Sequence, residues 1–182
     1  MKTQPLEDNA QPGLRLLFET APDACFVTDV DGTFVDGNRA AEELIGCPRQ
    51  KIIGRKLRDL KLLSARELGK AMARLAQNEK GQATGPDEFT IRRADGREIS
   101  LEVRANPVQL KGRILVLGLA RDISGLRKAE AQLAATAQMS DQLFNLSPDL
   151  LCVAGFDGFF RQVNPAWTEL LGWSEAELLR RP

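Results

Sequence analysis

The chain has 182 residues, with 25 Lys and Arg against 25 Asp and Glu, so neither a nucleic-acid surface nor a polybasic membrane anchor is favoured. His and Tyr are absent, which excludes histidine-ligated haem, His-based triads, His metal sites and a phospho-accepting histidine from this stretch. Cys25, Cys47 and Cys152 are odd in number and unclustered; they indicate a reducing, cytoplasmic setting and neither a disulfide framework nor a zinc site.

Residues 1–13 hold Pro5, Pro12 and Gly13 without an apolar period and read as a disordered arm. There is no signal-peptide core, and no run approaches the ~18 apolar residues of a membrane span. Residues 14–20 (LRLLFET) predict a short amphipathic helix with Leu14, Leu17 and Phe18 on one face, suited to covering an apolar sheet face. Residues 25–30 (CFVTDV) and 33–37 (TFVDG) predict two strands, joined at Asp31-Gly32 by a two-residue primed turn. Asn38 reads as the N-cap of a helix over 39–45, with Ala41, Leu44 and Ile45 inward and Gly46 closing it. Ile52, Ile53, Leu57 and Leu60 mark short helical turns, broken at Pro48 and Gly54.

Residues 64–80 predict the longest helix of this region, opened by a capping box at Ser64 and Glu67 and striped by Leu68, Ala71, Met72 and Leu75. Gly85-Pro86 reads as a loop. Strands follow at 88–93 and 98–105, the second alternating with Ile99, Leu101, Val103 and Ala105 on one side. Pro107 implies a break before 108–110. Residues 114–120 (ILVLGLA) form an unbroken apolar run, which fits a central strand buried on both faces. Two strands, several helices and three strands make an α+β domain with an antiparallel sheet. The run passes through Arg121-Asp122-Ile123-Ser124 directly into a helix-forming segment over 125–143. There Leu126, Leu133 and Ser140, with Ala129, Thr136 and Leu143 between, form a weak coiled-coil seam.

Phe144 onward repeats Phe18 onward without a gap. Pro22-Asp23 recurs as Pro148-Asp149, Asp31-Gly32 as Asp157-Gly158, Asn38 as Asn164 and Gly46 as Gly172. The kept residues are turn, cap and core types, so the repeat preserves architecture. The second copy lacks its long helix and last three strands, and a lone hairpin with two helices is marginal in water. Residues 144–182 are therefore expected to be poorly packed or to borrow contacts from another chain.

In this order and met twice, PDACFVTDVDGTFVDGNRAAEELIG, the helix at 64–80, the three closing strands and the exit RDIS resemble the PAS family of sensor domains. RDIS is similar to the family's Asp-Ile-Thr signature, with Ser124 in the Thr place. The resemblance covers 18–124 in full and 144–182 in part. It implies a five-stranded antiparallel sheet in the order 2-1-5-4-3 with helices on one face, and a ligand or cofactor cavity between sheet and long helix. It also implies a place upstream of a histidine kinase or diguanylate cyclase output in a bacterial sensor. The expected organisation is an arm (1–13), a PAS domain (14–124), a linker helix (125–143) and an incomplete second PAS domain (144–182), the N-terminal fragment of such a protein.

Thr28, Leu68, Met72, Leu75, Arg92 and Val116 are the candidate pocket residues. The apolar members are equally readable as plain core, and Thr28 and Arg92 face either cavity or solvent, because strand parity is open. The flavin-binding light-oxygen-voltage subfamily carries an Asn-Cys-Arg-Phe motif, absent here, so a cysteinyl-flavin adduct lacks support. The ligand is left as an unknown small apolar or anionic molecule, or none. Asp122, Ile123, Ser124 and Arg127 are the candidate relay. Either Asp122 pairs with Arg127 or Lys128 and fixes the angle between strand and helix, or Asp122 and Ser124 only cap the helix. Two functions follow: a ligand-gated sensory module that signals through its last strand and exit helix, or a ligand-free dimerisation or protein-docking module. Homodimerisation is expected through the linker helix and the N-terminal cap. No nucleophile–base pair, phosphate loop, metal cluster or nucleotide fingerprint argues for an enzyme.

Overall fold

The computed structural model describes residues 12–110 and 112–180. These divide into two compact units between Arg127 and Lys128. Most of the expected arm lies outside the described residues, but Pro12 and Gly13 already belong to the first helix, α1 (Pro12–Thr20). Its apolar stripe does not cover the sheet: Leu14 and Leu17 are 61% and 69% exposed. The face that docks is the charged one. Arg15 pairs with Glu19 at 2.6 Å and with Asp36, and Glu19 also pairs with Arg49. A helix anchored by its ionic face turns its leucines outward.

Strand β1 (Ala24–Asp29) and strand β2 (Phe34–Gly37) form the first hairpin. The Asp29 N–H donates to the Thr33 carbonyl at 2.9 Å and the Gly32 N–H to the Asp29 carbonyl at 3.0 Å. Gly32 has φ of +79°, and Lys61 is the only non-glycine with positive φ among the described residues. The connection is thus a three-residue loop closed by a left-handed glycine, not the expected two-residue primed turn, which needs positive φ at Asp31 as well. The Asp95-Gly96 turn is built alike, with the Arg93 N–H donating to the Arg97 carbonyl at 2.8 Å and Gly96 at φ +85°.

Helix α2 (Arg39–Ile45) starts at Asn38, as expected, and ends at Gly46, φ +74°. Two 3₁₀ turns, Arg49–Lys51 and Leu57–Asp59, lead to helix α3 (Ala65–Glu79), whose first turn is capped by Ser64 Oγ accepting from the Glu67 N–H at 3.3 Å. Strands β3 (Thr84–Arg92), β4 (Glu98–Leu110) and β5 (Arg113–Asp122) complete the unit. Gly85 and Pro86 lie within β3, at a register shift between Thr84 and Asp87, and not in a loop. β3 is an edge strand, where proline's missing N–H is tolerated. Pro107 likewise interrupts nothing: β3 pairs with β4 only as far as Ala105, while β4 continues along β5 to Leu110.

The sheet runs β2-β1-β5-β4-β3, antiparallel throughout. Residues 114–120 lie centrally, between the first and fourth strands. Their burial is nevertheless asymmetric. Val116 and Ala120 are 1% and 4% exposed on the face beneath α2 and α3; on the opposite face Leu115 is buried at 9% while Leu119 is 38% exposed, so that face is covered only in part. The uninterrupted apolar run therefore does not mark equal burial of both faces. Ala24, Ala41, Ile91, Leu101 and Ala120 form the core under the helices, with Phe26, Leu44, Ile99 and Val103 packed against them.

Helix α4 (Ser124–Leu146) leaves β5, and the division between the units falls inside it. The second unit continues with strands β6 (Cys152–Ala154) and β7 (Phe160–Val163), then helices α5 (Pro165–Leu171) and α6 (Glu175–Leu178). It repeats the asparagine device: Asn164, 1% exposed, accepts from the Leu151 N–H at 3.1 Å and donates to the carbonyls of Phe144, Ser147 and Asp149. Its buried apolar residues are few, Val163, Ala166 and Leu178, while Phe156 and Leu170 are exposed.

Candidate ligand cavity and exit strand

Between the sheet and α3 lies an apolar cavity of about 130 Å³. Its floor alternates along the strands, as the pleat requires: Phe26 and Thr28 from β1, Val116 and Ala120 from β5, Leu101 and Val103 from β4. Its roof is α3, through Ala71, Arg74, Leu75 and Asn78, one turn apart in successive pairs. A Cβ on Gly118 would meet Phe26 Cζ at 2.2 Å, so a bare glycine on β5 is what lets the Phe26 ring lie across the sheet. That volume is of the order of engineered cavities, ~150 Å³, that admit a single aromatic ring.

Of the sequence candidates, Thr28, Leu75 and Val116 line the cavity. Leu68, Met72 and Arg92 lie away from its walls. Met72 is 37% exposed on the flank of α3, and Arg92 points outward to Glu98 at 3.1 Å. Of the expected stripe on α3, Ala71 and Leu75 line the cavity and Leu68 and Met72 do not. The helix face that meets the sheet runs 71, 74, 75, 78, and it ends in polar residues where an apolar search stops.

Those polar residues make one end of the cavity. Arg74 donates to Asp87 Oδ1 at 2.7 Å and to Gln77 Oε1 at 3.2 Å. Asn78 is fully buried and donates through Nδ2 to the Gln82 carbonyl at 2.7 Å, the Ala105 carbonyl at 3.3 Å and Thr84 Oγ1 at 3.3 Å. Asn78 Oδ1 and Thr28 Oγ1 are buried without a hydrogen-bond partner in the protein.

At the exit, the geometry is that of a helix cap. Asp122 Oδ1 accepts from the Ser124 N–H at 2.8 Å, and Ser124 Oγ accepts from the Ser100 N–H at 2.9 Å. The Ile123 N–H donates to the Ser100 carbonyl at 2.8 Å. Arg127 turns to Glu88 on β3, donating to both carboxylate oxygens. Asp122 is spent on capping, so the arginine one turn into the helix reaches the edge strand. These hydrogen bonds hold the Glu88 carboxyl below its ordinary range. A second ion pair ties the end of β5 to the start of β1: Arg121 clasps both oxygens of Asp23 at 3.1 and 2.7 Å and lowers that carboxyl too. Burial pushes the Cys25 thiol up, reinforced by the charge of Asp23, so Cys25 is a packing residue at neutral pH.

An open antiparallel sheet in the order 2-1-5-4-3, helices over one face, an apolar cavity between them and a central last strand running into an exit helix together define a sensor-type α+β domain. The comparison with known families agrees. The sequence model of the PAS fold matches residues 18–128 and that of the PAS domain matches residues 138–182. The chain belongs to the PAS family. Among curated proteins it is 32% identical over 129 residues to an uncharacterized protein of Azorhizobium caulinodans, covering 67% of this chain but 17% of that protein. Among solved structures it is similar to the PAS domain of an HTR-like protein from Haloarcula marismortui (26% identity, TM-score 0.52, 61% of this chain and 89% of that one). It is also similar to a domain of a sensory box sensor histidine kinase/response regulator from Geobacter sulfurreducens (30% identity, TM-score 0.52, 60% and 91%). No helix among the described residues is long and apolar enough to cross a membrane.

Proposed function

We propose that the first unit senses a small molecule in its cavity and passes the result through β5 into α4, toward an output of the two-component type. One observation carries this reading. Val116 and Ala120 of β5 line the cavity, and after Ile123 the chain is already in α4. A ligand that moves the floor of the cavity thus acts on the strand that fixes the helix start. Asp122, Ile123 and Ser124 position that start, and Arg127 with Glu88 ties it to the far edge of the sheet. The relay works by biasing two nearly balanced arrangements, for which a weak exposed pair suffices. The repeat supports a tandem arrangement of two sensor units joined by α4. The histidine-kinase relative supports the output class.

A second reading, a ligand-free dimerisation module, is favoured by α4 itself. Leu126, Leu133 and Leu143, on the expected seam, are 59%, 74% and 64% exposed. Dimerisation through this seam and α1 is compatible with sensing and stands alone if no ligand exists. Native mass spectrometry with an absorbance spectrum of the purified chain tests the first reading. A bound or addable small molecule is expected, and a protein that neither carries nor accepts one leaves only the docking role. Light scattering tests the second, where a strict monomer at high concentration refutes the dimer.

A further inference from the structure

We infer that the cavity recognises an uncharged, largely apolar molecule of single-ring size that carries one hydrogen-bond donor, received by Asn78, with the Thr28 hydroxyl as the second polar contact. The inference rests on the ligand-binding reading above and assigns that site its ligand class.

The orientation of Asn78 decides the polarity. Its Nδ2 faces two main-chain carbonyls, of Gln82 and Ala105, at 2.7 and 3.3 Å. Flipping the amide would set oxygen against oxygen, so Nδ2 stays on the carbonyls and Oδ1 is the unpartnered end of the amide. The residue is fully buried, it lines the cavity, and Oδ1 has no partner in the protein. Buried acceptors are almost always satisfied, and leaving one unmet is costly. Thr28, across the floor and 3% exposed, has the same deficit at Oγ1.

The other polar groups of the wall are committed. Arg74 is matched by Asp87 at 2.7 Å, and Thr84 Oγ1 is engaged by Asn78 at 3.3 Å. No counter-charge is left for an ionised ligand, whose burial would be prohibitive without one. A carboxylate would also bring its oxygens against Asn78 Oδ1. This narrows the earlier choice between apolar and anionic ligands to neutral donors: a phenol, a small alcohol or an amide. The volume of about 130 Å³ suits a single ring.

Phenol, toluene and benzoate probe the claim with the whole chain, by calorimetric titration and by the side-chain amide resonance of Asn78. Phenol is expected to bind about tenfold more tightly than toluene, as one buried hydrogen bond dictates, and to shift the Asn78 amide, which toluene leaves in place. Thr28→Val, which keeps the shape, is expected to keep toluene binding and to reduce the phenol preference by about threefold or more. Equal affinity for phenol and toluene overturns polar recognition while the cavity reading stands. Tighter binding of benzoate than of phenol overturns the neutral class. If none of the three binds at millimolar concentration, the ligand-binding reading itself falls, and this inference with it.

Discussion

Ala71→Leu measures whether the space under α3 is real. Ala71 sits mid-helix on the face that roofs the cavity. Leucine adds three carbons, each worth ~0.8 kcal/mol on burial, or ~2.4 kcal/mol in all. Ordering the longer side chain costs ~0.5–1 kcal/mol, and leucine is a few tenths poorer than alanine as a helix former. The net is a stabilisation of about 1–1.5 kcal/mol. For a domain near 100 residues that corresponds to a rise of roughly 4–10 °C in melting temperature. Ala73→Leu, on the exposed side of the same helix, serves as control and is expected to stay within about 2 °C. Circular dichroism melts and urea titrations read both. Because the new side chain occupies ligand volume, Ala71→Leu is also expected to abolish phenol binding. A fall in melting temperature of several degrees refutes the reasoning, since it means that α3 lies too close to the sheet to admit the side chain.

Asn38→Ala is expected to be severe. Oδ1 accepts from the Cys25 and Ala41 N–H groups, both at 2.9 Å, and Nδ2 donates to the Asp23 carbonyl at 3.0 Å. Orphaning these buried groups and losing the cap costs about 2–4 kcal/mol, and a variant melting within 2 °C of the parent contradicts the network. Arg127→Ala removes an exposed pair and is expected to change the melting temperature by no more than about 5 °C, while hydrogen exchange accelerates in the first turn of α4. The sign with pH follows from Glu88, whose carboxyl is depressed by Arg127: protection of that turn is complete above about 4.5, the ordinary glutamate value, and is lost as pH falls through the depressed one. Arg127→Ala should be insensitive to that acid window; equal acid sensitivity in both proteins rules out this pair as the cause. Leu133→Lys on the exposed seam is expected to leave the melting temperature unchanged and to convert dimer to monomer in light scattering, and an unaltered mass excludes the seam.

Local chemistry explains what was legible in the sequence. The cap that Asn38 places on Ala41, the Ser64 cap and the glycines after the helices each act within four residues, so their effects appear in a linear reading, whereas the bonds of Asn38 to Cys25 and Asp23 do not. The central place of residues 114–120 was legible for a different reason: a long apolar run suits an interior strand better than an edge, even though its two faces are not equally covered. The errors arose where a second element decides. Gly85 and Pro86 look like a loop until β4 provides an edge to pair with, and α1 looks like a lid until Asp36 and Arg49 draw its charged face inward.

The pocket was legible in part, since Thr28, Leu75 and Val116 line the cavity. An apolar criterion on α3 selects Ala71 and Leu75 but rejects Arg74 and Asn78, which are polar and line the cavity beside them. Their polarity is affordable only because Asp87 answers one and the carbonyls of Gln82 and Ala105 answer the other, partners that arrive from beyond the helix. The residue with chemistry to offer is therefore the one that a hydrophobic criterion discards. In an apolar cavity the useful sequence signal is the polar residue that continues the buried phase of a helix after the apolar residues end, as Asn78 does three positions beyond Leu75.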